Sequence, residues 1–125
     1  MNSPSVQDLG QVALTVRDVA AAKRFYVEVL GLRPLFDAGS KLSFLGVGAV
    51  RLMLTEPNGA GEAGRNSVLY YRVTGLAEYY RRAVASGAVP EREPQLAARL
   101  PDHELWLAFV RDPEGNLVGL MEERR

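Results

Sequence analysis

The order strand, helix, strand, strand, strand occurs twice along this chain of 125 residues, and this repetition limits the possible folds more than any single motif does. Alternating apolar and β-branched residues predict the strands, and apolar residues at helical spacing predict one helix in each half. Asp18 is placed to cap the first helix, which Gly31 ends. Phe25 is expected at the margin of the apolar stripe of this helix. The strands predicted in the first half are 11–16, 34–37, 42–47 and 50–55.

The second half repeats this order after a segment rich in Gly and Pro that reads as a linker. A helix begins near Leu76 and ends at Gly87, and a short extended piece follows around Val89 and Pro90. A polar loop is predicted from Arg92 to His103. The remaining predicted elements are strands 67–73, 105–110 and 117–121, with a tight turn at 112–116. The fold class is therefore α+β, with one domain over 1–125 made of module one (9–56), a linker (57–66) and module two (67–123).

Composition excludes several classes of function. Lys+Arg and Asp+Glu are both 15, so the net charge is zero and the basic excess of a nucleic-acid-binding protein is missing. The chain has no Cys, which excludes disulfides, Cys-ligated zinc, iron–sulfur clusters and thiol catalysis. No apolar run approaches the roughly 20 residues of a membrane span, and the first ten residues are polar. We therefore expect a soluble, cytoplasmic protein that binds neither nucleic acid nor membrane.

Two stretches resemble a known superfamily: VALTVRDVAAAKRFYVEVLGLRPLF at 12–36 and LAFVRDPEGNLVGLMEE at 107–123. Both are similar to the glyoxalase/bleomycin-resistance/dioxygenase superfamily, also called the vicinal-oxygen-chelate superfamily, and 93–109 resembles its uncharacterised members. The resemblance implies that each βαβββ module forms a curved sheet with its helix outside, and that two modules enclose a cup. In the enzymes of this superfamily, side chains from the first and last strands of each module hold a divalent metal in the cup.

The residues at the four implied metal positions are Gln11, Met53, Val68 and Gly119. Gln is a weak ligand, Met suits soft copper(I), and Val and Gly have no side-chain donor. A divalent ion would need His, Asp or Glu at about three of these positions. The sequence therefore predicts a member without a metal or any other cofactor.

Strand alternation predicts which side chains line the cup instead. The resulting surface mixes apolar, aromatic and a few polar groups, as small-molecule pockets do. The predicted ligand-binding residues are Gln11, Arg51, Met53, Val68, Tyr70, Arg72, Trp106 and Gly119.

Four of the candidate residues have competing interpretations. Trp106 is favoured in the cup, although both faces of its strand are apolar and a Trp on a sheet is more often core. Arg51 and Arg72 could together clamp a carboxylate or phosphate, but strand-end arginines more often reach solvent. His103, flanked by acidic residues, is a weak catalytic candidate for moving a proton, and a loop His is more often only structural.

Three hypotheses about function follow. The favoured one is a metal-free protein that sequesters a small aromatic or amphiphilic molecule in the cup. The alternatives are a lyase, isomerase or dioxygenase of the superfamily with a non-standard or absent metal site, and an interaction module whose cup is filled by Met53, Met121 and Trp106. Open strand edges also predict a homodimer, with modules paired either within one chain or between two chains.

Overall fold

The structure, a computed structural model, describes residues 4–125, so the first three positions of the predicted domain lie outside the described residues. Two four-stranded sheets and two helices confirm the predicted α+β fold of two βαβββ modules. The elements are β1 (Gln11–Thr15), α1 (Val19–Arg24, continued by a π-helical turn Phe25–Val29), β2 (Arg33–Asp37), β3 (Leu42–Val47), β4 (Val50–Thr55), β5 (Leu69–Arg72), α2 (Leu76–Ala85), β6 (Val89–Arg99), β7 (Glu104–Arg111) and β8 (Leu117–Arg124).

The two sheets have the same topology. The strand orders are β1-β4-β3-β2 and β5-β8-β7-β6, and in each sheet the first strand of the module runs parallel to the last. The other neighbours are antiparallel. Among the described strands none of one sheet pairs with a strand of the other, so hydrogen bonding does not close the modules into a single barrel.

The start of α1 follows from local chemistry. Asp18 has extended backbone angles, and its Oδ1 accepts a hydrogen bond from the Ala21 amide at 2.9 Å, which confirms the predicted cap. Gly31 follows the helix with a φ of 87°, a conformation that glycine adopts without the steric cost of a Cβ atom. Phe25, expected at the margin, is buried because the wider π-helical turn carries it toward the core together with Tyr26.

The prediction of a polar loop from Arg92 to His103 is wrong for most of its length. Strand β6 continues through this segment to Arg99 and pairs with β7. The error arose because the strand lies at a sheet edge, where its side chains are mostly exposed and periodic hydrophobicity is absent. Register shifts after Pro90 and Arg92 absorb the two prolines of the strand, which cannot donate to the ladder.

The core lies between the sheets and the helices. Alternate strand residues such as Leu52 and Leu54 are buried, and the helices cover them with Ala22, Tyr26 and Leu76. The buried apolar residues of both modules form a single cluster, so the modules share a core.

Hydrogen bonds at the helix ends also join the modules. The Tyr26 hydroxyl of module one donates to Asp112 of module two at 2.7 Å, and the Tyr79 hydroxyl donates to the Leu30 carbonyl at 2.5 Å. The Glu114 carboxylate accepts from the amides of Arg17 and Asp18 at 2.6–2.7 Å. Among the described residues, no helix has the length and apolar character needed to cross a membrane.

Candidate functional site

Each sheet has one face against the helices and one face turned away from them, which we call the open face. Cross-strand register assigns the side chains to these faces. Open face one carries Gln11, Ala13, Arg33, Phe36, Phe44, Gly46, Arg51 and Met53. Open face two carries Tyr70, Arg72, Arg92, Leu107, Phe109, Gly119 and Met121.

An aromatic pair lies on open face one, on the edge strand β2 and its neighbour β3. The rings of Phe36 and Phe44 stack with centroids 4.5 Å apart, although Phe36 remains 51% exposed. The Arg51 guanidinium lies 5.5 Å from the centroid of Phe44. Gln11 accepts a hydrogen bond from Arg51 Nε at 2.9 Å and lies 3.8 Å from Met53 Sδ. The structure therefore brings the predicted residues Gln11, Arg51 and Met53 together.

A tyrosine ring lies flat on open face two. A Cβ atom added at Gly119 would come within 2.7 Å of the Tyr70 ring, and Gly119 does not have a positive φ. The glycine therefore provides space for the ring rather than backbone freedom. The Tyr70 ring meets Phe109 edge-on at 5.8 Å, and the Arg92 guanidinium lies 5.9 Å from the Phe109 centroid.

The four implied metal positions do not offer a donor set for a divalent ion. Gln11 and Met53 contact each other on open face one, whereas Gly119 lies beneath the Tyr70 ring and Val68 precedes β5. Residues 4–125 contain no group of three or more His, Cys, Asp or Glu side chains placed to hold a metal. Amide, thioether and backbone groups are poor substitutes for His, Asp or Glu as ligands of a divalent ion, so the residues at these positions do not fit a metal.

Trp106 requires a correction, because the structure places it on the face opposite the predicted one. It pairs with Glu122 and shares its side of β7 with the buried residues Ala108 and Val110. The ring packs against the core, and its Nε1 donates to Glu104 at 3.0 Å. The two faces of β7 are equally apolar in sequence, so alternation alone did not distinguish them.

Arg51 and Arg72 lie on different sheets, and Arg72 has a carboxylate partner. Its Nε is 3.4 Å from Glu123 Oε1. The joint binding of one anion by these two arginines stays a prediction, and the alternative of an arginine at a strand end fits Arg72.

His103 lies at the edge of open face two between two carboxylates. Its Nδ1 is 2.8 Å from Asp102 and its Nε2 is 3.4 Å from Glu123, while its side chain is only 12% exposed. Hydrogen bonds from His103 and Arg125 hold the pKa of Asp102 below its ordinary value. These contacts fix the imidazole in place, and its role in moving a proton stays a prediction.

Sequence reasoning missed several residues of the open faces. Phe44 and Phe109 form the aromatic floor, and Arg33 and Arg92 lie beside it. Their faces become clear only when each strand is aligned with its neighbour. Phe44, for example, pairs with Met53, a residue already assigned to the cup. The register of a hairpin was the signal that could have identified them.

Comparisons with known proteins agree with this architecture. The family model described as Glyoxalase/Bleomycin resistance protein/Dioxygenase superfamily matches residues 8–120. No curated protein sequence matches the chain significantly.

Among solved structures, the chain is similar to a glyoxalase-related enzyme from Fulvimarina pelagi, with 23% identity, a TM-score of 0.74, and 94% of this chain and 88% of that chain covered. It is similar to a lactoylglutathione lyase from Agrobacterium tumefaciens, with 24% identity, a TM-score of 0.72, and 94% and 95% covered. It is also similar to TioX from Micromonospora sp. ML1, with 25% identity, a TM-score of 0.74, and 93% and 98% covered.

Proposed function

The chain belongs to the Glyoxalase/Bleomycin resistance protein/Dioxygenase superfamily, and we propose that it is a metal-free cytoplasmic protein that holds a small aromatic or amphiphilic molecule in its cup. The observation that carries this proposal is the position of the Tyr70 ring over Gly119. A ring lies where a side chain at the fourth metal position would project, so this part of the open face offers an apolar surface instead of a donor atom.

The aromatic character of both open faces supports a planar or partly apolar ligand. Phe36 and Phe44 on one face, and Tyr70 and Phe109 on the other, present ring surfaces that can stack on such a molecule. Phe36 and Tyr70 are each about half exposed, so these surfaces are available to a ligand in the single chain.

We further propose a homodimer in which open face one of one copy and open face two of its partner enclose each ligand. Every described contact between large side chains of the open faces stays within one module, as for Phe36 with Phe44 and Tyr70 with Phe109. This pattern supports a cup that is shared between two chains. The short edge strands β1 and β5 also leave unpaired backbone groups that a second copy can cover.

The experiment described below also distinguishes this proposal from two other functions. A lyase, isomerase or dioxygenase activity would require either a metal bound by an unexpected set of residues or metal-free chemistry by His103, Tyr70 or an arginine. A filled cup would require Met53 and Met121 to close the space without Trp106, which lies on the opposite face of its sheet.

Native mass spectrometry of the gently purified protein, compared with its denatured mass, tests the proposal. We expect a dimer that carries an organic adduct and gains no stoichiometric metal when Mn²⁺, Fe²⁺, Ni²⁺ or Zn²⁺ is added. Tyr70→Glu should lose the adduct, whereas Leu96→Glu, on the other face of the same sheet, should keep it. Stoichiometric metal would favour the enzyme, and a dimer without any adduct would favour the filled cup.

A further inference from the structure

We propose that the ligand carries a carboxylate, and that Arg33 and Arg51 bind this group on open face one. This inference rests on the proposed function, because it names the chemical class of the molecule held in the same cup. Neither the metal positions nor the predicted clamp of Arg51 and Arg72 leads to this pair.

The two arginines face one another across a glycine. Gln11, Arg51, Gly46 and Arg33 are directly opposite one another on the four adjacent strands of the sheet. Two strand spacings separate the Cα atoms of Arg33 and Arg51, or about 10 Å. Both side chains line one open cavity of about 200 Å³ at this end of the sheet.

Gly46 allows the Arg33 side chain to fold back toward Arg51. A Cβ atom at Gly46 would lie 2.6 Å from Arg33 Nη2 and 3.0 Å from Cζ. Gly46 does not have a positive φ, so the backbone itself would accept another residue. Gly46 therefore provides space for the Arg33 guanidinium, in the same way that Gly119 provides space for the Tyr70 ring.

Neither arginine is neutralised. Within residues 4–125, no carboxylate lies within 4 Å of the guanidinium nitrogens of Arg33 or Arg51, whereas Arg72 pairs with Glu123 and Arg111 pairs with Glu91. The residues that define open face one include no Asp or Glu. Two uncompensated cations beside one cavity attract an anion, and the attraction strengthens when a second copy excludes water.

The arrangement favours a carboxylate on an aromatic body. Gln11 accepts from Arg51 Nε and so orients the guanidinium, which leaves its terminal nitrogens free for the two oxygens of a planar carboxylate. The stacked rings of Phe36 and Phe44 lie beside these cations, with Arg51 above Phe44. A molecule whose carboxylate meets the arginines can therefore place its ring system on the phenylalanines.

Isothermal titration calorimetry at low salt with 2-naphthoate and 2-naphthamide tests this inference, because the two probes differ only in the charged group. We expect the carboxylate to bind about tenfold more tightly than the amide, the gain of a charge-assisted hydrogen-bonded pair. Arg33→Gln and Arg51→Gln should each remove most of this preference. Gly46→Ala should reduce it by displacing Arg33, although both arginines remain in the chain.

Two control variants should keep the full preference. Arg81→Gln and Arg82→Gln each remove an arginine that pairs with Glu78 on α2, away from open face one. Equal affinity of the wild-type protein for the two probes would overturn the carboxylate inference and leave the proposed function standing. Failure of the wild-type protein to bind either probe would overturn both.

Discussion

The Tyr26 hydroxyl of module one donates a hydrogen bond to the Asp112 carboxylate of module two across 2.7 Å, and both side chains are buried. The amide of Asn116 and the backbone amide of Glu114 also donate to Asp112. The turn that joins the last two strands therefore satisfies a buried carboxylate and at the same time fixes the first helix. We therefore expect the two modules to unfold as a unit.

Replacement of Tyr26 by Phe should destabilise the fold by about 1.5–3 kcal/mol, the usual contribution of a hydrogen bond to a charged group. Chemical denaturation followed by circular dichroism measures this loss. Tyr70→Phe is the matched control, because its hydroxyl has no described hydrogen bond and its ring is half exposed. A similar effect of the two substitutions would contradict the role assigned to Tyr26.

The buried pair of Tyr26 and Asp112 should also make the free energy of unfolding decrease at high pH. Burial, and secondarily the charge of Asp112, raise the pKa of Tyr26 well above its ordinary value. The folded state therefore holds this proton more tightly than the unfolded state does. The resulting stabilisation is complete below the unfolded pKa of about 10 and is lost as the pH rises toward the folded value. Tyr26→Phe should flatten the decline in unfolding free energy above pH 10, as chemical denaturation at a series of pH values would show.

Most of the fold was predictable from the sequence, because its signals are local. Asp18 caps α1 as expected, and buried strand positions such as Leu52 and Leu54 alternate with exposed or half-buried ones. The exception is β6, whose polar side chains carry no periodic signal and whose pairing depends on β7. Contacts between the modules could not be predicted from local sequence patterns. The sequence predicts Asp112 as a turn residue, whereas its hydrogen bond joins it to Tyr26, 86 positions away in the chain.

The candidate site was predicted in part. Gln11, Arg51 and Met53 meet on one face, and Tyr70 meets Gly119 on the other, because alternation is reliable where only one face of a strand is apolar. Two features depended on register between strands instead. One is the position of Arg33 beside Gly46. The other is the face of β7 on which Trp106 lies, opposite to that of Leu107 and Phe109.

The contacts of Glu122 at the start of α2 should make the free energy of unfolding decrease at low pH. Gly75 provides no side-chain cap, and the Glu122 carboxylate accepts from the amides of Gly75 at 2.7 Å and Leu76 at 3.4 Å instead. A hydrogen bond from Arg124, and then these amides, lower the pKa of Glu122. The stabilisation is therefore complete above the unfolded pKa of about 4.3 and is lost as the pH falls through the folded value.

Glu122→Gln should lower stability at neutral pH and weaken its dependence on pH below about 4.3. Thermal unfolding measured between pH 3 and pH 7 checks both effects. Glu28→Gln serves as the control, because Glu28 is exposed and makes no described ion pair. If Glu122→Gln followed the wild-type pH profile, the carboxylate would not be the group that holds the helix start.

Gly119→Ala should move the Tyr70 ring while leaving the fold intact. The added Cβ atom would come within 2.7 Å of a half-exposed ring, which can rotate toward solvent. Nuclear magnetic resonance should then show loss of the contacts between the Tyr70 and Phe109 rings and weaker binding of 2-naphthoate. Arg81→Gln, on α2, should leave both unchanged. Retention of the ring contacts in Gly119→Ala would mean that the glycine is not needed for the position of Tyr70.

Mixed dimers should reveal whether a cup draws its two faces from different chains. Met53→Glu disables open face one and Tyr70→Glu disables open face two, so a dimer of either variant with itself should bind no 2-naphthoate. In a mixed dimer with shared cups, both substitutions fall in one cup and the other cup is wholly wild type. We therefore expect one bound ligand per mixed dimer when differently tagged variants are co-expressed and titrated. If each cup came from one chain, both cups would carry a substitution and the mixed dimer would bind none.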